Sequence, residues 1–117
     1  MTANTLIKDL YESVDAKSIN YLEQILAEQV RFRIGNYDIV SGKQAVLEAN
    51  IGFFASIKAM SHKIDNIWMV KDDIICNGQV SYVRLDGSEF SVPFATILKL
   101  KENKIIDYLV YADLTEL

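Results

Sequence analysis

The segment IIDYLVYADL, residues 105–114, threads two carboxylates, Asp107 and Asp113, between apolar and aromatic residues. Two acids held in an apolar setting can be pushed to different pKa values, which is the requirement for paired acid/base work. On the solvent side of a strand the same residues would be an ordinary polar face, so register decides between the two. His62, in SHKIDNIW, is the sole histidine. A neutral imidazole exchanges protons near pH 7, which makes it the candidate acid or base. Asp38 in the loop GNYDIV, the triplet Arg84-Leu85-Asp86 and the phenol of Tyr108 complete the polar candidates. Cys76 is the sole cysteine, so an internal disulfide is excluded; with only His62 beside it there is no ligand set for a structural zinc. No metal and no cofactor is expected.

The elements that must position these residues follow from composition and period. The chain has 117 residues, half of them hydrophobic, with six Tyr, five Phe and one Trp. That length fits one domain spanning residues 1–117, with enough apolar surface to offset its ordering entropy. A net charge of −4, with positive charges scattered singly, offers no basic stripe for nucleic acid. The N-terminal MTANTLIKDLYESVD lacks a signal-like apolar run, and no window approaches the roughly 20 apolar residues of a membrane span. A cytoplasmic protein with no membrane partner is expected.

From Asn4 to about Asp15, Leu6, Ile7, Leu10, Tyr11 and Val14 fall on one helical face. Ser18 can cap a second helix that buries Ile19, Leu22, Ile25 and Leu26. VRFRI, residues 30–34, alternates as a half-buried strand. Ser41 and Gln44 read as a capping box for a third helix reaching about Ala59, whose face carries Val46, Ala49, Ile51, Phe53, Phe54 and Ile57. After Met60 the period becomes 2, and residues 61–70, 74–85, 88–100 and 104–113 read as a four-strand meander. Helices followed by strands predict an α+β domain.

A two-residue Asp86-Gly87 turn sets Val83 opposite Phe90, Ser81 opposite Val92, Gln79 opposite Phe94 and Asn77 opposite Thr96, all toward the helices. The Lys-Glu-Asn turn adds Ile106, Tyr108, Val110 and Ala112 to that side. Asp107 and Asp113 then face outward, with Arg84, Glu89, Ser91, Pro93 and Lys99. A slip of one residue would reverse a strand's two faces. In the strand from Ser61, alternation puts His62, Ile64, Asn66 and Trp68 on the inner side.

The order helix, helix, strand, long helix and meander resembles the NTF2-like superfamily and its SnoaL-like branch. YESVDAKSINYLEQILAEQVRF, SGKQAV, HKIDNIW and LKLKENKIIDYLVYADL carry the resemblance, which covers essentially the whole chain. It implies a cone of three N-terminal helices packed on a strongly curved, mainly antiparallel sheet, with an apolar pocket at its open end. It also brings relatives that isomerise ketosteroids, hydrolyse epoxides or cyclise polyketides beside pure binding modules, so it leaves function open. Residue by residue, the isomerase-type base falls on Ile34, the Tyr on Leu10 beside Tyr11, and the second Asp on Thr96. The hydrolase-type Asp falls on Val110, with the Tyr and Asn on Phe32 and Ile34, while Arg84-Leu85-Asp86 only mimics an Arg-x-Asp triplet at a turn.

These readings converge on a pocket for a small hydrophobic or aromatic molecule. Its expected wall is Phe32, Ile34, Phe53, Phe54, Ile57, Trp68, Phe90, Phe94, Tyr108 and Val110, with His62, Asn77, Gln79, Ser81 and Thr96 as polar contacts. Alternatives are an acid/base enzyme of the cyclase, isomerase or dehydratase type centred on His62, and a dimerisation module with a filled cone. A homodimer is expected through an outer sheet face carrying Ile74, Cys76, Val80, Tyr82, Pro93, Ala95, Ile97, Leu109 and Tyr111.

Overall fold

The computed structural model describes residues 2–117. Three helices, α1 (Ala3–Asp15), α2 (Asn20–Ile25) and α3 (Lys43–Ala55), pack against a six-stranded sheet. The strands are β1 (Leu26–Ile34), β2 (Val40–Ser41), β3 (Ile57–Val70), β4 (Asp73–Arg84), β5 (Glu89–Lys101) and β6 (Lys104–Tyr111). Their order is β2-β1-β6-β5-β4-β3, antiparallel except where β1 lies parallel to β6. This is the α+β cone that the sequence order led us to expect. Among the described residues no helix is long and apolar enough to cross a membrane.

Helix α1 forms as its spacing requires. The Thr2 hydroxyl accepts from the Thr5 amide at 3.1 Å and caps the first turn. Leu6, Ile7, Leu10, Tyr11 and Val14 form the buried stripe. Two other helix starts differ from expectation. Helix α2 begins at Asn20 after Ile19, with no side-chain cap, and the Ser18 hydroxyl only meets the Asn20 amide at 3.4 Å. At α3 the cap is Gly42, with φ +94 and no side-chain bond, because Ser41 is already paired to Arg31 in β2 and so cannot close a capping box. Helix α3 also stops earlier: Ser56 ends it, and Ile57, expected on the helix, is buried as the first residue of β3. Its inward face is Val46, Leu47, Asn50 and Phe54, which leaves Ile51 exposed.

The β4 faces are the reverse of those expected. The hairpin closes around three residues, Leu85, Asp86 and Gly87: the Arg84 amide donates to the Ser88 carbonyl at 2.7 Å and the Gly87 amide to the Arg84 carbonyl at 2.9 Å. Gly87 takes φ +89, the left-handed position of a three-residue hairpin loop. Val83 therefore pairs with Glu89, Gln79 with Pro93 and Asn77 with Ala95. Ile74, Cys76, Val80 and Tyr82 point into the core, while Asn77, Gln79 and Ser81 face outward.

Strand β5 keeps its expected faces, and β6 keeps them from Asp107 onward; before that a bulge buries Ile105 in the core, where Ile106 was expected to face inward. Leu100 pairs with Ile105, yet Lys99 pairs with Asp107, so Ile106 is the extra residue. That extra residue turns Asp107 outward, where its carboxylate takes the Arg31 guanidinium Nε at 3.0 Å. Asp113 lies outside the core and accepts from the Thr115 amide and hydroxyl. Both carboxylates therefore lie outside the core, Asp107 on the outer face of β6 and Asp113 beyond the strand's end. A second bulge, between Ile64 and Asn66, reverses the far half of β3. Ile67 then faces inward beside Cys76, and Trp68, expected inside, stands outward beside Ile75 at 48% exposure.

The β3 bulge makes Gly78 obligatory. A Cβ there would lie 1.8 Å from the Lys63 carbonyl oxygen, which is backbone and cannot swing aside. Gly78→Ala is expected to cost about 1–3 kcal/mol or more by urea denaturation. Gly52→Ala, whose Cβ would meet nothing within 4 Å, should be neutral or stabilise α3 by up to about 1 kcal/mol.

Candidate ligand site

The inner faces of β1 and β6 and the end of α3 build two adjoining apolar spaces. The outer one is a cleft of about 350 Å³ at the cone mouth, lined by Phe32 and Ile34 of β1, Val40 of β2, Ala49, Gly52 and Phe53 of α3, and Tyr37, Asp38 and Ser56. It exists partly because Gly52 contributes no side chain, leaving open space where a Cβ would stand. Asp38 sits at the mouth, as its loop position suggested. The inner one is the cone interior, a cavity of only about 20 Å³ among Tyr11, Asn50, Phe54, His62, Tyr82, Phe94, Tyr108, Val110 and others. That is room for about one water molecule. Phe32, Ile34 and Phe53 border both spaces.

The aromatic side chains fill the interior. Phe32 meets Tyr108 edge-on with ring centroids 4.9 Å apart, and Phe53 meets Tyr82 edge-on at 6.0 Å. Tyr11 reaches across from α1, its hydroxyl 2.5 Å from the Thr96 hydroxyl oxygen. Thus Tyr11, rather than Leu10, meets Thr96, and the pair satisfies each other in the core. Asn50, a polar residue in an otherwise apolar helix stripe, ties its amide to the Val46 carbonyl at 2.8 Å.

His62 is anchored from outside the cone by a residue that sequence pattern did not single out. Asp15, the last residue of α1, receives the His62 backbone amide at 2.9 Å on one oxygen and stands 2.5 Å from the ring Nδ1 with the other. Donation to a carboxylate puts the ring hydrogen on Nδ1 and leaves Nε2 as the free nitrogen. The ring packs against Tyr11 and Phe94, with centroids 4.3 and 5.1 Å away. It also borders a groove between α1 and β3 that contains Asp15.

Of the expected wall, the structure brings Phe32, Ile34, Phe53, Phe54, His62, Phe94, Tyr108 and Val110 to these two spaces. Ile57 is buried behind them, Thr96 is covered by Tyr11, and Phe90 stacks on Tyr82 at 6.4 Å without lining either space. Trp68, Asn77, Gln79 and Ser81 are on the far side of the sheet, for the bulge and turn reasons given above. Tyr11, Asn50, Met60, Val80 and Tyr82 line the interior without having been expected there. For Asn50 a signal existed in its place four residues after Val46; for Tyr82 only the hairpin register could have found it.

Among the described residues no three His, Cys, Asp or Glu side chains cluster as a metal site. Over residues 7–108 the sequence matches the SnoaL-like domain family. The chain belongs to the SnoaL-like domain family. No curated protein matches it. Among solved structures, this SnoaL-like domain is similar to a SnoaL-like, polyketide-cyclase-type protein from Jannaschia sp. CCS1, at 14% identity and a TM-score of 0.84 over 97% of this chain and 87% of that one. It is also similar to a protein with a ketosteroid isomerase-like fold from Catenulispora acidiphila, in complex with trimethylamine, at 15% identity and 0.83 over 93% and 85%. A third is an epoxide hydrolase of LEH-like type from M. tuberculosis, at 8% identity and 0.81 over 96% and 83%. At these identities the likeness is one of fold.

The SnoaL-like core holds its acidic protons tightly. Burial raises the Cys76 thiol from its ordinary 9.0 to about 11, and burial likewise pushes the Tyr11, Tyr82 and Tyr108 phenols above their usual 10.0. Raised values in the folded state mean that the unfolded chain releases these protons first as pH climbs. The associated stability is complete below about pH 9 and is lost as pH rises through the folded-state values. Denaturation midpoints should therefore be flat from pH 7 to about 8.5 and fall between about 9 and 11, while the Cys76 thiol resists iodoacetamide until the protein unfolds.

Proposed function

We propose that this protein binds a small hydrophobic or aromatic molecule in the mouth cleft. The observation that carries the reading is the cleft itself: about 350 Å³ of open, largely apolar space with Asp38 and Ser56 as its few polar groups. Size and lining both match the usual small-molecule site. The trimethylamine in the Catenulispora protein is a precedent for a small ligand in this fold. A cytoplasmic location is consistent with the free thiol of Cys76.

An acid/base reading centred on His62 has one observation in its favour, the Asp15–His62 pair, which has the geometry of a base held by an orienting carboxylate. The interior bordering His62 has room for about one water molecule, and the open groove of about 280 Å³ between α1 and β3 that the ring also borders is less apolar than the mouth cleft. Binding is therefore the reading we adopt, with catalysis as its alternative.

Homodimerisation is the second part of the proposal, through the outer sheet face as the structure redraws it. Ile74, Cys76, Val80 and Tyr82 drop out of that face, and Trp68 and Ile75 join it. One row across four strands is Trp68, Ile75, Ile97 and Leu109. The adjacent row reads Asp73, Lys99, Asp107, Arg31, with Lys99–Asp73 at 3.7 Å and Arg31–Asp107 at 3.0 Å. Reversed by a two-fold axis along the strands, that alternation sets every charge opposite one of the other sign, and Ile97 opposite Leu109. A second copy is thus the occupant this face complements.

Fluorescence titration with N-phenyl-1-naphthylamine tests the cleft. Wild type should bind it, and Gly52→Leu, which fills the cleft from a position with room for a side chain, should weaken binding by at least about tenfold with the melting temperature maintained. Equal binding by the two proteins would place the ligand elsewhere. Sedimentation tests the dimer: at micromolar concentration wild type should run as a dimer that Ile97→Lys dissociates, because each two-fold interface then receives two unpaired charges. A wild-type monomer of 13.3 kDa would end that part of the proposal.

A further inference from the structure

The mouth cleft is chemically one-sided: the groups around it favour positive charge, and none of them is a cation. No Lys, Arg or His is among its lining residues, while Phe32, Tyr37 and Phe53 are aromatic. The faces of aromatic rings carry partial negative charge and attract cations. The guanidinium–ring contacts that the chain makes for itself, Arg33 over Tyr111 and Arg84 over Phe90, involve none of these three rings. The cleft rings are thus left to a cation from outside.

Three further features have the same sign. Asp38 stands exposed at the mouth, and among the described residues its carboxylate forms no ion pair. Ser56 donates its hydroxyl hydrogen to the Phe53 carbonyl at 2.6 Å, which leaves its oxygen as an acceptor. The third feature is the helix itself. Gly52 and Phe53 belong to the last turn of α3 and Ser56 is its cap, so the cleft lies at the negative end of a 13-residue helix. A basic side chain in the last turn would offset that end, and α3 has none.

We propose that the mouth cleft selects an aromatic molecule carrying an ammonium group, with the ammonium held by Asp38, the carbonyl end of α3 and the Tyr37 and Phe53 rings. The proposal rests on the cleft-binding reading and specifies the charge of its ligand. No single feature decides the matter: water screens Asp38, and a ring face or a helix end acts only at short range, but a cation seated in the cleft meets all of them together. An anion of equal size meets the same groups with the opposite sign. Charge then discriminates where an apolar lining alone would not.

The test uses 2-(2-naphthyl)ethylamine, 2-(2-naphthyl)ethanol and 2-naphthylacetate, at neutral pH a cation, a neutral molecule and an anion of similar size, as competitors of N-phenyl-1-naphthylamine. Wild type should prefer the ammonium to the alcohol by at least about tenfold and to the carboxylate by more, and added salt should reduce the preference. Asp38→Asn should lower that preference several-fold while binding the alcohol as before, which also reports that the variant is folded. Ala55→Lys, which supplies the missing basic residue at the exposed last position of α3, should lower it likewise. Equal affinity for the three compounds in wild type, or a preference for the anion, overturns the charge assignment and leaves cleft binding standing. A preference for the cation that both variants retain in full overturns its assignment to Asp38 and the helix end. Failure of the fluorescent probe and all three compounds to bind overturns the cleft reading and the proposal with it.

Discussion

The Arg84 amide donates to the Ser88 carbonyl, and Gly87 accepts the positive φ that a three-residue loop demands. This turn fixes the register of β4 against β5, and most of the molecule's interior chemistry depends on that register. A strand has two faces and no intermediate setting, so the turn decides as a unit whether Tyr82, Val80, Cys76 and Ile74 or Val83, Ser81, Gln79 and Asn77 meet the helices. Because it places the first set inside, the cone wall is apolar and aromatic on β4 as well as on β5 and β6. Asp86 supports the turn by accepting from the Ser88 amide and hydroxyl, and these bonds hold its carboxyl below the ordinary range. Its proximity to Arg84 is thus a consequence of turn chemistry.

Two bulges complete what the turn begins. Extra residues at Asp65 and Ile106 each reverse the faces of part of a strand, one moving Trp68 outward and the other moving Asp107 outward. The first is possible because Gly78 lets the β3 backbone come within a distance that no Cβ would permit. The second puts Asp107 beside Arg31 on the parallel neighbour β1 and so builds the alternating charged row of the outer face. The sheet can therefore present an apolar, cavity-lining inner surface and a mixed outer surface with self-complementary charge order.

Helix α1 joins these two surfaces to the site. Its last residue, Asp15, holds His62 by backbone and ring, and Lys17 just beyond donates to the Ile57 carbonyl at 2.7 Å. These charge-assisted contacts pin the end of α1 to β3.

Local pattern was enough for the α+β order, the α1 stripe, the inward set on β5, the inward Tyr108 and Val110, and Asp38 at the mouth. Each is a local period or a loop position, and such signals need no distant partner to be legible. The family was equally legible, since element order runs through the whole chain. The faces of β4 and of the far half of β3 were set by pairing across the sheet. A three-residue turn and a two-residue turn can share the same Asp-Gly, and a bulge is created by pairing with a neighbour and leaves no period of its own. The same holds for Asp15: nothing in DAKSIN shows that its carboxylate meets a histidine 47 residues away. The short capping pattern at Ser41 failed for the converse reason, because pairing with β1 had already claimed the residue. Where the chain's own neighbours settle a conformation, the sequence can be read directly; where the partner is across the sheet, the assembled fold makes the choice.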